Sequence, residues 1–215
     1  MTISQNIAKV REKAGLARII AVTKNVEIPK IFEAIEAGIT DVGENKVQEA
    51  AGKYDAIKSK YPQIKWHLIG HLQTNKVKAA LKIFDVIQSV DSIGLATEIN
   101  KRAEKEIEIF IEVNTSQETS KFGIKPELTV DLVKEISKLS NLRITGLMTM
   151  GPLTDDAEKI KASFKKLREL RDNLQLSGYV EIKHLSMGMS DDYSFAIEEG
   201  SDIIRVGRAI FTTEA

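Results

Sequence analysis

Eight short apolar runs recur along this chain at nearly regular intervals: "RIIAVT", "TDVGE", "KWHLIG", "DVIQSV", "IEIFIEVN", "RITGLMTM", "EIKHLSM" and "DIIRVG". Each but the last is followed by a longer segment whose apolar residues recur three and four apart, as in "PKIFEAIEAG", "NKVQEAAGKYDAIKSKY", "NKVKAALKIF" and "DAEKIKASFKKLRELRDNL". A strand buried on both faces reads as a run and a helix covering it reads as an amphipathic stripe, so the alternation predicts parallel strands covered by helices. Eight such units in 215 residues fit one α/β domain, a single (β/α)8 barrel of the TIM type over residues 1–215. A doubly wound sheet would need a glycine-rich turn after its first strand, and "AVTKNVEIP" has no glycine. Pro29 and Pro126 near helix starts, with Gly38 and Gly200 after helix ends, punctuate the units as expected.

Composition narrows the chemistry. Thirty-one basic residues balance 31 acidic ones, so the chain has no global electrostatic footprint for nucleic acid. The absence of cysteine removes disulfides, thiolate metal sites and thiol nucleophiles. No apolar run reaches the length of a membrane span, and "MTISQNIAKVREKAG" reads as an amphipathic helix rather than a secretory signal. A cytoplasmic protein without membrane contact is the expectation.

In a barrel, chemistry collects where the loops leave the carboxyl ends of the strands. Lys24 stands at the first such end, and strand alternation puts Ile20, Val22 and Lys24 on one face. If that face points inward, Lys24 enters the mouth, where partial desolvation favours the free amine that condenses with an aldehyde. Taken alone, Lys24 reads rather as an exposed lysine ending a strand, since lysines are mostly exposed. At the seventh strand end, Ser186, Gly188 and Ser190 form a small-residue loop that enters a helix; at the eighth, Gly207 permits close backbone approach. Each is also an ordinary helix start, but together they suit an anion, as barrels often bind phosphate there. "MGMSDD" lacks the second glycine of a hydrolase elbow. His67 and His71 have metal-like spacing but sit on strand and loop, and are expected to be core or loop histidines. Met148 and Met150 share a face and either line a cofactor ring or pack the core. A lysine, an anion cradle and Arg205 on the eighth strand describe a site for a phosphorylated aldehyde, for which pyridoxal 5'-phosphate is the candidate.

The segments "AVTKN", "GENKVQE", "WHLIGHLQTNK", "VNTSQETSKFG", "GLMTM", "LSMGMSDD" and "RVGRAIF" resemble, in order and spacing, the pyridoxal phosphate homeostasis protein family, itself similar to the N-terminal barrel of alanine racemase. The resemblance implies a fold-type III pyridoxal phosphate protein without the C-terminal β-domain, carrying its cofactor as an internal aldimine on Lys24. It further implies that Arg205 faces the pyridine nitrogen and that Ser186, Gly207 and Arg208 hold the phosphate, the last two partly through main-chain N–H groups. Asn45 falls where the family lines the cofactor pocket, and Met148 is placed beside it. One departure is visible: the family usually continues past "AIF" with glycine and a further segment, whereas this sequence has Thr212 and stops at Ala215.

Two functions of different class compete. The first is a cofactor-binding protein of vitamin B6 homeostasis that buffers pyridoxal phosphate or delivers it to apo-enzymes without turning over a substrate. The second is an amino-acid racemase or decarboxylase. Enzymes of the second kind complete their site with a β-domain across a dimer, and the sequence has no length left for one, so a monomeric carrier is expected. Arginine at the ring nitrogen adds a partial argument, since a permanent donor keeps that nitrogen unprotonated and the ring a poorer electron sink.

Overall fold

The computed structural model describes residues 1–116, 118–119 and 121–212. Gln117 and Ser120 of "VNTSQETSKFG", and Thr213 to Ala215 at the short C-terminus, lie outside the described residues. The chain opens with α1 (Ile3–Ala14) and then alternates through β1 (Arg18–Val22), α2 (Ile28–Glu36), β2 (Asp41–Glu44), α3 (Val47–Lys60), β3 (Lys65–Leu68) and α4 (Val77–Ala80). It continues through β4 (Val86–Val90), α5 (Ile93–Arg102), β5 (Ile107–Glu112), α6 (Thr129–Ile136), β6 (Leu142–Met148), α7 (Ala157–Leu176), β7 (His184–Ser186), α8 (Tyr193–Glu198), β8 (Ile203–Val206) and α9 (Arg208–Phe211). All strand pairs are parallel and neighbours follow chain order; pairing of Arg18 with Ile203 and Ile20 with Arg205 joins β1 to β8 and closes the barrel.

The eight expected strands are present, most of them trimmed by a residue or two; "EIKHLSM" keeps only His184–Ser186, and β6 begins one residue early, at Leu142. The segment "NKVKAALKIF" departs more: it forms a 3-10 turn at Thr74–Lys76 and only the four-residue α4. Phe84 is buried, and Asp85 is tied to Trp66 by its N–H at 2.9 Å and its carboxylate at 2.8 Å, so the chain is drawn into β4 before the helix can lengthen.

Two packing layers result from the period-two alternation of the strands. Ile19 and Ala21 of β1, Val42 of β2, Trp66 and Leu68 of β3, and Ile107, Ile109 and Ile111 of β5 face outward and join the apolar residues of the helices in one large core. Ile20, Val86, Phe110, Met148 and Ile203 form a separate, small cluster inside the barrel. Many of the other inward positions are polar and buried, among them Asp41, His67, Gln88, Glu112, Ser186 and Arg205. Barrel interiors are usually filled by branched aliphatic residues, so this one gives much of its interior to hydrogen bonding.

Candidate functional site

Ile20 points into the barrel as expected, and β1 ends at Val22. Thr23 is buried, whereas Lys24 is exposed, followed by Asn25 in the left-handed region at φ 58°. The desolvation expected of Lys24 is therefore not supplied by the chain around it. Lys24 opens onto a cleft of about 340 Å3, shared with Val22, Lys30, Gly207, Arg208 and Phe211. The ends of β1 and β8 meet closely there: a Cβ on Gly207 would lie 3.2 Å from the Val22 carbonyl oxygen. Gly207 precedes α9, and among the described residues the N–H groups of Gly207 and Arg208 donate no hydrogen bond. Ser190 reaches this point from the β7 loop, its hydroxyl oxygen accepting from the Ala209 N–H at 3.2 Å.

Arg205 is 3% exposed and projects inward from β8. Its Nη1 donates to the Ser186 carbonyl at 2.6 Å and hydroxyl at 2.9 Å, and Nη2 donates to the Thr149 carbonyl at 2.8 Å. Among the described residues, two of the five guanidinium N–H groups remain uncommitted. Burial lowers its pKa to about 10, against the opposing pull of Asp192 and Glu112, so it stays charged at neutral pH.

Ser186 is engaged inside the barrel: its hydroxyl donates to Gln88 Oε1 at 2.7 Å while accepting from Arg205 Nη1 at 2.9 Å. The chain of contacts continues downward: the Gln88 amide lies 3.0 Å from His67 Nδ1, and His67 Nε2 lies 2.9 Å from Asp41 Oδ1. An amide that donates to Nδ1 leaves Nε2–H to donate to Asp41, in keeping with burial pushing the His67 pKa down. His67 is thus an interior hydrogen-bonding residue, and His71 is exposed and stacked on Phe122 at 4.2 Å. Among the described residues no cluster of three or more potential ligands could hold a metal ion.

Met148, the last residue of β6, is fully buried in the interior cluster. Two residues on, half-buried Met150 lines a cavity of about 190 Å3 with Glu112, Asn114, Lys121 and Phe122. Asn45 is half-buried at the end of β2, against the β3 loop: a Cβ on Gly70 would fall 2.4 Å from the Asn45 carbonyl oxygen, which accounts for the glycine in "WHLIGH". Sequence reasoning missed Gln88 and Glu112. Glu112 is 3% exposed, its Oε2 has no partner among the described residues, and burial with nearby Asp91 pushes its pKa up to about 7 despite Arg205.

The site brings together Lys24, Gly207, Arg208 and Ser190 at one rim and Arg205 below it. Comparison with known proteins places this arrangement in a family. The family model described as the N-terminal domain of alanine racemase matches residues 1–215. The chain is 41% identical over 216 residues to a pyridoxal phosphate homeostasis protein of Aquifex aeolicus, covering 97% of this chain and 94% of that one. It also resembles the solved structure of PipY from Synechococcus elongatus with PLP bound, at 33% identity and a TM-score of 0.90 over 98% of this chain and 100% of that one. Alanine racemase of Clostridium difficile shares the fold, with a TM-score of 0.84 at 14% identity over 99% of this chain and 57% of the racemase. The chain therefore belongs to the pyridoxal phosphate homeostasis proteins, within the family of the alanine racemase N-terminal domain.

Proposed function

We propose that the chain binds pyridoxal 5'-phosphate at the mouth of the barrel, attached through Lys24, and serves vitamin B6 homeostasis by holding the cofactor and releasing it to apo-enzymes. The observation that carries this reading is the cleft shared by exposed Lys24 and by Gly207 and Arg208, whose backbone N–H groups donate no hydrogen bond among the described residues, with buried Arg205 two residues before Gly207 on β8. Pyridoxal phosphate supplies an aldehyde that condenses with a primary amine, a ring nitrogen that accepts a hydrogen bond, and an anionic phosphate. Lys24 provides the amine, the spare donors of Arg205 suit the ring nitrogen, and the Gly207 and Arg208 N–H groups with the Ser190 hydroxyl suit the phosphate. Asn45 and Met150 stand at the same end of the barrel. The PLP-bound relative, similar over almost the whole of both chains, supports the cofactor, whereas likeness to the racemase concerns the fold alone.

Reduction of the loaded protein with borohydride followed by peptide mapping is expected to place a pyridoxyl group on Lys24. Label confined to Lys46, Lys76 or Lys121 overturns the assignment. Pyridoxal without its phosphate is expected to bind on the order of a hundredfold more weakly, since each lost charge-assisted hydrogen bond is worth about 1.5–3 kcal/mol. Equal affinity for the two aldehydes removes the phosphate role of Ser190, Gly207 and Arg208. Sedimentation of the loaded protein tests the expected monomer.

A further inference from the structure

The motif "GENKVQE" contributes more than Asn45. Glu44, the last residue of β2, is 0% exposed, and its Oε1 accepts the Thr23 hydroxyl at 2.6 Å and Lys53 Nζ at 2.9 Å. Lys53 Nζ also donates to the Thr23 carbonyl at 2.7 Å and to Glu49 Oε1 at 2.9 Å, so its three protons meet three acceptors. That same Glu49 oxygen accepts the Asn25 backbone N–H at 2.5 Å. The residue before Lys24 is thus held by hydroxyl and carbonyl, and the residue after it by its N–H.

We propose that Lys53, Glu44 and Glu49 are positioning residues that clamp the backbone on both sides of Lys24 and hold its amine at the cleft, a role that rests on the reading that Lys24 carries the aldehyde. A largely buried ion pair is a weak device for stability, because desolvation offsets much of the attraction. An apolar pair would pack β2 against α3 as well. What the charged cluster adds is direction: its bonds end on the backbone of residues 23 and 25. Lys24 is exposed, so without the clamp both loop and side chain would have to be ordered on binding. With the backbone held and Asn25 set at φ 58°, only the side-chain torsions remain.

The test compares wild type with Lys53→Met, Lys53→Arg and Glu49→Gln in two measurements. Hydrogen exchange at residues 23–26 of the cofactor-free protein reads the clamp itself, and is expected to be about tenfold faster or more in Lys53→Met and Glu49→Gln, corresponding to an opening made easier by a factor of ten per 1.4 kcal/mol. Affinities for pyridoxal 5'-phosphate and for pyridoxine 5'-phosphate, whose alcohol cannot condense with an amine, read the positioning. The aldehyde is expected to lose about tenfold in affinity and the alcohol none, with Lys53→Arg recovering part of the loss. Equal losses for both ligands, or no loss for the aldehyde, overturn the proposal. If Lys53→Met strands the buried Glu44 and fails to fold, Glu49→Gln leaves the Glu44–Lys53 pair in place and decides both measurements. A wild-type protein that gives no borohydride-trapped label on Lys24 overturns the function reading, while the exchange measurement still separates a clamped loop from a free one.

Discussion

Gly188 sits at φ 96°, and a methyl group there would lie 2.6 Å from Ala196 Cβ and 2.8 Å from Tyr193 Cα. Gly188→Ala combines a left-handed backbone with overpacking and is expected to cost roughly 2–4 kcal/mol, read as a lowered denaturant midpoint. Lys24→Ala removes an exposed side chain, so the melting curve is expected to stay within about 0.5 kcal/mol of wild type while the cofactor's visible band is lost. Glu112 makes a pH prediction. Its pKa is raised from 4.5 to about 7 in the folded protein, so between those values the folded state keeps a proton that the unfolded chain has released. The contribution to stability is complete below the lower value and falls as pH rises through the upper one, by up to ~1.4 kcal/mol per pH unit. Glu44 and Asp192, also raised by burial, act in the same direction, and Asp41 and Glu108, lowered by their hydrogen-bond partners in spite of burial, act oppositely. Urea unfolding of wild type and Glu112→Gln from pH 4.5 to 8 isolates the term: the difference is expected to shift in favour of the glutamine as pH rises, and a constant difference refutes it.

At the scale of elements, the outward faces were the legible part. In "IEIFIE" the isoleucines face the helices while Glu108, Phe110 and Glu112 face the interior, so an alternation that would mark a surface strand elsewhere marks a polar barrel interior here. Alternation reports two faces but not which one meets solvent, and Glu112 and Gln88 escaped notice for that reason. Helix ends followed local chemistry: Asp156 accepts the N–H groups of Glu158 at 3.1 Å and Lys159 at 3.3 Å and caps α7. Asp156→Ala is expected to cost about 1 kcal/mol in thermal or chemical denaturation. The shortness of α4 was not local, since it depends on Asp85 reaching Trp66 across β3.

At the scale of the whole molecule, barrel closure brings β1 beside β8 and sets Lys24 next to Gly207 and Arg208, residues separated by most of the chain. A rim site of this kind is open to an incoming amine. Loaded protein mixed with a pyridoxal-phosphate-dependent apo-enzyme is therefore expected to restore its activity, while added amino acids change the spectrum without being racemised or decarboxylated. Racemisation proportional to bound cofactor and absent in Lys24→Ala contradicts the carrier role. The sequence by itself determined the eight β/α units, their outward apolar faces and the strand ends at which Lys24, Gly207 and Arg208 stand, because periodicity and glycine placement are local properties. Only the tertiary structure decided that Ser186 accepts from Arg205, that Met148 is packed into the interior cluster, and that Lys53 grips the backbone around Lys24. Hydrogen-bond partners are chosen by distance across the closed barrel, and that distance is not written in the spacing of residues along the chain.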